Sequence, residues 1–284
     1  RRYPASEVEV RAASGDIYRI IDVDEGRLLG TVDAARAFVQ VHPGAIYLHQ
    51  GEIYVVRRLD LAEKVAHVAP SAGDYYTQPR VLTDVSILRQ HEERPWGPTR
   101  AWFGDVDVTS QVIEFVRKQL FTETVLGSEP LDLPEQTLST TALWFTIPPD
   151  LVRAMAERGL DLAGGIHAVE HAAIGLLPLF AMCDRWDIGG VSYPRHPQTD
   201  VPTIFIYDGH PGGVGITEKG YALLDELMAA TLDAIASCPC ESGCPSCIQS
   251  PKCGNLNNPL DKAAAILLLR GLLRRAVPTA ASPA

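Results

Sequence analysis

The stretch Cys238-Pro239-Cys240-Glu241-Ser242-Gly243-Cys244-Pro245-Ser246-Cys247-Ile248-Gln249-Ser250-Pro251-Lys252-Cys253-Gly254-Asn255 holds five of the six cysteines of a 284-residue chain. At its centre Cys244 and Cys247 form a C-x-x-C knuckle, whose two intervening residues let one turn aim both sulfurs at a single ion about 2.3 Å away. Gly243 and Gly254 let the backbone bend around that ion. A tetrahedral site needs four ligands and five cysteines are on offer. The preferred set is Cys240, Cys244, Cys247 and Cys253; the alternate set takes Cys238 in place of Cys253. An all-thiolate set implies structural Zn2+, because catalytic zinc keeps an open position and mixes in His or carboxylate. An iron–sulfur cluster is the rival occupant. A secreted disulfide framework would spread its cysteines along the chain. Local crowding instead favours a metal site in a reducing, cytoplasmic compartment.

Outward from the cluster the pattern is helical. Gly215–Ser237 reads as an amphipathic helix before it, and a helix capped by Asn258, with Pro259 in its first turn, runs to about Arg275 after it. Further upstream lie a buried-type strand, Val201–Tyr207, and an apolar helix from Ile166 to about Cys183. A short helix, Leu151–Arg158, is capped by Asp150, and Leu138–Ile147 is a strand. Residues 120–136, with Gly127, Pro130 and Pro134, read as a linker. The first half is β-rich: Glu7–Ala12, Asp16–Asp22, Arg27–Thr31, Ala45–His49, Glu52–Leu59, Val81–Gln90, Thr99–Val108 and Val112–Gln119 read as strands. Gln50-Gly51 marks a tight hairpin, and Asp33 caps a short helix, Ala34–Val41. The expected fold class is α+β, a β-rich half followed by an α/β zinc-binding half. The expected domains are 1–136, a β-rich accessory domain, and 137–284, the zinc-binding domain.

Hydrophobic residues at 46% and charged residues at 21% indicate a globular chain. The net charge of −10 argues against a free-standing nucleic-acid grip, though not against a local basic strip on an acidic body. The longest apolar run, Ala172–Cys183, is short for a bilayer and broken by Pro178, so no membrane partner is expected. The start Arg1-Arg2-Tyr3-Pro4, with no initiating Met, reads as a piece of a longer cytosolic protein.

Two other motifs carry chemistry. His167-Ala-Val-Glu170-His171 matches H-x-x-E-H, the inverted zinc-metalloprotease signature, and sets three side chains on one helix face. Histidines hydrogen-bonded along the polar edge of a packed helix are the bland reading. Asp208-Gly-His210-Pro-Gly212-Gly213-Val-Gly215 sits between a strand and a helix, like a phosphate-binding turn, yet lacks the P-loop Lys and the dinucleotide G-x-G-x-x-G. A plain strand-to-helix connection is favoured, with backbone contact to a nucleic-acid phosphate at His210, Gly212 and Gly213 as the minority reading.

Taken together, His42-Pro-Gly-Ala-Ile-Tyr-Leu-His-Gln-Gly-Glu-Ile-Tyr54, Leu59-Asp60, Tyr75-Tyr76-Thr77, Thr140-Thr141-Ala-Leu-Trp144, His167–His171, Tyr207–Gly215 and the cysteine run to Asn255 form one pattern. It resembles the C-terminal portion, including the MrfA zinc-binding domain, of the MrfA-type (SftH-type) superfamily II DNA helicases, over essentially the whole chain. The resemblance implies a parent enzyme that hydrolyses ATP with Mg2+, translocates 3′ to 5′ on single-stranded DNA and acts in DNA repair, near the nucleoid. It also implies zinc on the cysteines, an H-x-x-E-H helix without known protease activity, and partnership with the parent's motor domains. Neither a Walker A lysine nor a D-E-x-H box occurs in the 284 residues, so this chain is expected to be inactive as an ATPase alone. Candidate DNA contacts are the basic and aromatic residues Arg94, Trp96, Arg100 and Trp102, or Arg57 and Arg58. The remaining alternative is a protein-interaction scaffold module.

Overall fold

The structure, a computed structural model, describes residues 17–274. The expected strand Glu7–Ala12 lies outside the described residues. The chain folds as α+β, with mixed sheets, helices and the cysteine cluster in its C-terminal part. It divides into two units. One contains the described residues up to Leu82 together with Ser110–Gln136; the other contains Thr83–Thr109 and the described residues from Thr137 onward. The sequence reading placed a single division after residue 136. The difference lies in two strands of 22 and 21 residues, each of which begins in one unit and ends in the other.

In the first unit, β1 (Ile17–Asp22), β2 (Arg27–Asp33), β3 (Ile46–His49), β4 (Glu52–Asp60) and β5 (Val65–Pro70) form a sheet of order β2-β1-β5-β4-β3. All neighbours are antiparallel except β1 and β5. The expected hairpin is present: Gln50 (φ 49°) and Gly51 (φ 90°) turn β3 into β4, and His49 pairs with Glu52. Positive φ at both central positions matches the right-handed twist of the flanking strands. Helix α1 (Ala34–Gln40) starts where Asp33 accepts a hydrogen bond from the Ala35 N–H at 2.8 Å, and it buries Ala37 and Phe38 against Ile20, Val56 and Val68.

The two long strands are β6 (Tyr75–Trp96) and β7 (Thr99–Gln119), joined through Gly97. Alternation is lost in their exposed polar stretches, which is why the sequence reads as three shorter strands. The expected linker holds β8 (Val125–Pro130), paired antiparallel with residues 114–118 of β7. In the second unit, β9 (Gln136–Thr146), β10 (Ile188–Tyr193) and β11 (Thr203–Asp208) extend β6 and β7 in the order β10-β11-β9-β7-β6. Strand β10 escapes sequence reading because Ile-Gly-Gly-Val-Ser-Tyr carries two glycines and little apolar pattern.

Six α-helices follow β9 among the described residues, the first five being α2 (Pro149–Ala156), α3 (Leu162–Leu176), α4 (Pro178–Ala181), α5 (Ile216–Ala222) and α6 (Leu224–Ser237). Last comes α7 (Lys262–Leu272), whose N-cap is Asp261, accepting from Ala264 N at 2.9 Å, rather than Asn258. Helix α3 is buried nearly all round and packs against α6, α7, β10 and β11. Residues 162–181 reach the length and hydropathy of a membrane span, but 67% of that window is buried inside the fold, as befits a core helix. Helix α3 thus places one face of the H-x-x-E-H motif beside the cysteine loop that joins α6 to α7.

Candidate metal centre

Helix α6 ends at Ser237, and the chain turns back through Cys238 toward α7. In this loop the thiols of Cys238, Cys240, Cys244 and Cys247 converge. Their Sγ separations are 3.6 Å (238–240), 3.6 Å (238–244), 3.5 Å (240–247) and 3.8 Å (244–247). A tetrahedron with metal–sulfur bonds of about 2.3 Å has edges of about 3.8 Å. Four sulfurs at these separations fit around one ion; in a multi-iron cluster each thiolate sits on its own iron and the sulfurs stand farther apart. The Cys244 N–H points at Cys247 Sγ at 3.3 Å, closing the knuckle. Gly243 makes the bend possible: its φ is +114°, and a Cβ there would lie 2.4 Å from Ile248 Cδ1.

The quartet is the alternate set of the sequence reading. Cys253 is not brought to it. That residue is buried beside His167 and His171, with its Sγ 3.4 Å from His167 Nε2. The reason is local geometry. Ser250 and Asn257 bind each other, Ser250 N to Asn257 Oδ1 at 2.8 Å and Asn257 Nδ2 to Ser250 O at 3.0 Å. This clasp folds residues 250–257 into their own loop, which turns Cys253 toward α3.

Burial pushes the Cys240 thiol up, but hydrogen bonds from Cys247, Cys238 and Cys244 outweigh it and bring the group down to about 7. Burial raises the Cys247 thiol. A divalent ion would take the place of the thiol protons. Lys262, only 7% exposed, reaches across from α7: its Nζ donates to Cys238 O at 2.7 Å and Cys240 O at 2.6 Å and lies 3.5 Å from Cys240 Sγ. Four thiolates around a divalent cation leave two negative charges, and this buried ammonium offsets one of them. Sequence reading did not single out Lys262; the only signal was its place next to the helix cap Asp261.

The H-x-x-E-H residues are buried. His167 Nδ1 faces Pro259 O and His171 Nδ1 faces Ile248 O, each at 2.8 Å. Burial lowers His167, with the Pro259 bond opposing. Burial, and then the neighbouring His167, bring His171 down to about 4. Glu170 turns toward β10, where a Cβ on Gly190 would come within 2.8 Å of its Cγ; burial pushes its carboxyl up to about 8 against a hydrogen bond from Ser192.

The candidate DNA contacts differ in exposure. Trp96 is 3% exposed, packs edge-on to Phe145 and donates its N–H to Asp225 at 3.0 Å. Arg94 lies over the Tyr221 ring and donates to Tyr221 O at 2.9 Å. Arg100 pairs with Glu93, and Trp102 stacks on Trp144. Arg57 is exposed, and Arg58 pairs with Asp60. Trp96 therefore serves the core, whereas Arg57, Arg58 and Arg100 are exposed. In the 208–215 turn, Gly212 N donates to Ser139 O of β9 and Gly213 N to His210 O within the turn, so both N–H groups already have protein partners. His210 Nε2 meets Asp187 Oδ1 at 3.1 Å. The turn is anchored by Asp208 Oδ2, which accepts from Thr141 and Thr217 hydroxyls, each at 2.9 Å.

An α+β chain whose helix-to-helix loop gathers four thiols at tetrahedral spacing belongs to the class of structural zinc-binding domains. Comparison with known proteins makes this particular. The profile of the MrfA Zn-binding domain matches residues 169–248. The chain is 34% identical over 251 residues, 87% of its length, to the uncharacterized ATP-dependent helicase YprA of Bacillus subtilis, of which it covers 33%. It is 43% identical over 111 residues to the uncharacterized protein MJ1572.1 of Methanocaldococcus jannaschii, covering 99% of that protein and 38% of this chain. The crystal structure of the DUF1998 helicase MrfA bound to DNA superposes with a TM-score of 0.61 at 29% identity, over 95% of this chain and 36% of that one. The chain belongs to the MrfA-type zinc-binding family, and it spans about a third of the length of the helicases it matches.

Proposed function

We propose that this chain is the C-terminal accessory module of an ATP-dependent DNA helicase, with one structural zinc held by Cys238, Cys240, Cys244 and Cys247. The observation that carries the reading is a four-thiol quartet inside a chain that matches, along 95% of its length, a helicase crystallised with DNA. Bound zinc supplies a crosslink and no open coordination position. The chain's own residues do the rest: the quartet and Lys262 tie the start of α7 to the end of α6, and α3 packs on both. ATP and Mg2+ belong to the motor domains, which are the module's first partners, and single-stranded DNA is the ligand reached beside them. The parent's direction of travel, 3′ to 5′, its superfamily II class, its role in DNA repair and its cytoplasmic, nucleoid-associated site are parts of the same proposal.

The test is fluorescence anisotropy with a labelled single-stranded oligonucleotide between 20 and 200 mM salt, about the range over which phosphate contacts weaken binding severalfold to many-fold. The zinc-loaded chain is expected to bind weakly, to lose binding as salt rises and to hydrolyse no ATP. Undetectable binding at 20 mM salt, together with unchanged unwinding by a full-length helicase lacking this region, would overturn the proposal.

A further inference from the structure

We propose that His167, His171 and Cys253 form a second metal site, which takes a zinc-class divalent ion through two imidazole Nε2 atoms and one thiolate. The ligand atoms of the three residues lie within 4.8 Å of one another, and all three side chains are buried. His167 Nε2 and Cys253 Sγ are 3.4 Å apart. A tetrahedral zinc with bonds of about 2.1 Å to nitrogen and 2.3 Å to sulfur sets that edge at about 3.6 Å.

The histidine tautomers are decided by their other nitrogens. A backbone carbonyl only accepts, so Pro259 O and Ile248 O require a proton on Nδ1 of His167 and His171 respectively. Each Nε2 is then left with its lone pair, and that of His167 faces the Cys253 sulfur. An imidazole whose distal N–H is held by a carbonyl is the usual outer arrangement of a metal-bound histidine. The rings stand 4.1 Å apart at 61°, so neither stacks flat over the other's nitrogen.

The sulfur is prepared in the same way. Leu256 and Asn257 both adopt left-handed backbone, at φ of 57° and 60°, and this bend delivers the Asn257 N–H to Cys253 Sγ at 3.2 Å. A non-glycine pair in that region is strained, and the Ser250–Asn257 clasp maintains it. Burial pushes the Cys253 thiol up, and the Asn257 N–H opposes that shift in favour of the thiolate that a metal requires. On binding, Cys253 gives its thiol proton to solvent and the neutral imidazoles give none, so one proton leaves per ion.

Three protein ligands leave a fourth position. His171 also lines a cavity of about 240 Å³ with Arg185, Ser246, Gln249 and Ser250. Glu170 turns the other way, toward Ser192. The two centres are distinct yet neighbouring: Cys247 belongs to the quartet, and the carbonyl of the next residue, Ile248, holds His171.

Zinc counting by native mass spectrometry tests the site on the whole chain, metal-stripped and then reloaded with a small excess of zinc. Two ions per chain are expected for the wild type and one for Cys253→Ser or His171→Gln. Cobalt titration supplies a second readout. The first equivalent should show the charge-transfer absorbance of four thiolates, and the second should add about a quarter of it, from one thiolate. A wild-type chain that saturates at one ion would overturn the proposal. So would a second equivalent that survives unchanged in both folded variants, since that is an adventitious ion only. Loss of the first, four-thiolate equivalent would instead tell against the quartet, so the two failures are distinguishable.

Discussion

Lys262→Met keeps most of the buried aliphatic stem and removes the ammonium, which makes it a specific probe of how the cysteine loop is held. The lost group makes two short hydrogen bonds, to Cys238 O and Cys240 O, and approaches Cys240 Sγ. A hydrogen bond from a charged donor contributes about 1.5–3 kcal/mol, and a buried acceptor left without its donor costs about 1–3 kcal/mol. Two such carbonyls, at the buried foot of α7, set the total at about 3–5 kcal/mol once some water reaches them. At about 1.4 kcal/mol per tenfold, zinc affinity is expected to fall by about two to four orders of magnitude. Competition against a chromophoric chelator at fixed pH measures it. Lys262→Arg should recover part of the loss, because the guanidinium keeps the charge but reaches the two carbonyls with a different geometry. Wild-type zinc affinity in Lys262→Met would refute the reasoning and reduce Lys262 to a packing residue.

Three further outcomes follow. Gly213→Ala places a Cβ 2.2 Å from Thr141 Oγ1 at a φ of +73°, so it should destabilise the Asp208 turn by about 1–3 kcal/mol, read as a lowered urea midpoint with unchanged zinc content. Trp96→Ala removes a core side chain packed on Phe145 and should cost about 3–5 kcal/mol in the same assay; a near-neutral result would restore Trp96 as a surface residue. His42 is fully buried, its Nε2 has no hydrogen-bond partner, and burial lowers its pKa from 6.5. Below about pH 6.5 the unfolded chain takes up a proton that the folded one refuses, so stability should fall with decreasing pH by up to about 1.4 kcal/mol per pH unit. In His42→Gln that part of the slope should vanish, and an identical slope in both proteins would count against it.

Much of this architecture was legible in sequence because local chemistry decided it. Gln50-Gly51 demanded a tight hairpin, Asp33 capped α1, and the cysteine spacing announced a metal loop. What escaped reading was decided by long-range packing. The strands β6 and β7 are continuous although their exposed stretches lack an alternating pattern, and β10 exists because it pairs with β11, not because its glycines favour extension. The choice between Cys238 and Cys253 escaped for the same reason. Spacing alone accommodates either residue, and the Ser250–Asn257 clasp and the neighbouring histidines settle where Cys253 goes. Arg94 and Trp96 looked like nucleic-acid contacts because the residues that fill a strand's inner face are also those that stack on bases; only burial separates the two.

The most direct test of the central claim is an anomalous-scattering map, recorded across the zinc edge from crystals of this chain. The account predicts a zinc peak about 2.3 Å from the sulfurs of Cys238, Cys240, Cys244 and Cys247. A peak ligated by Cys253 in place of Cys238, or scattering at the iron edge instead, would contradict it.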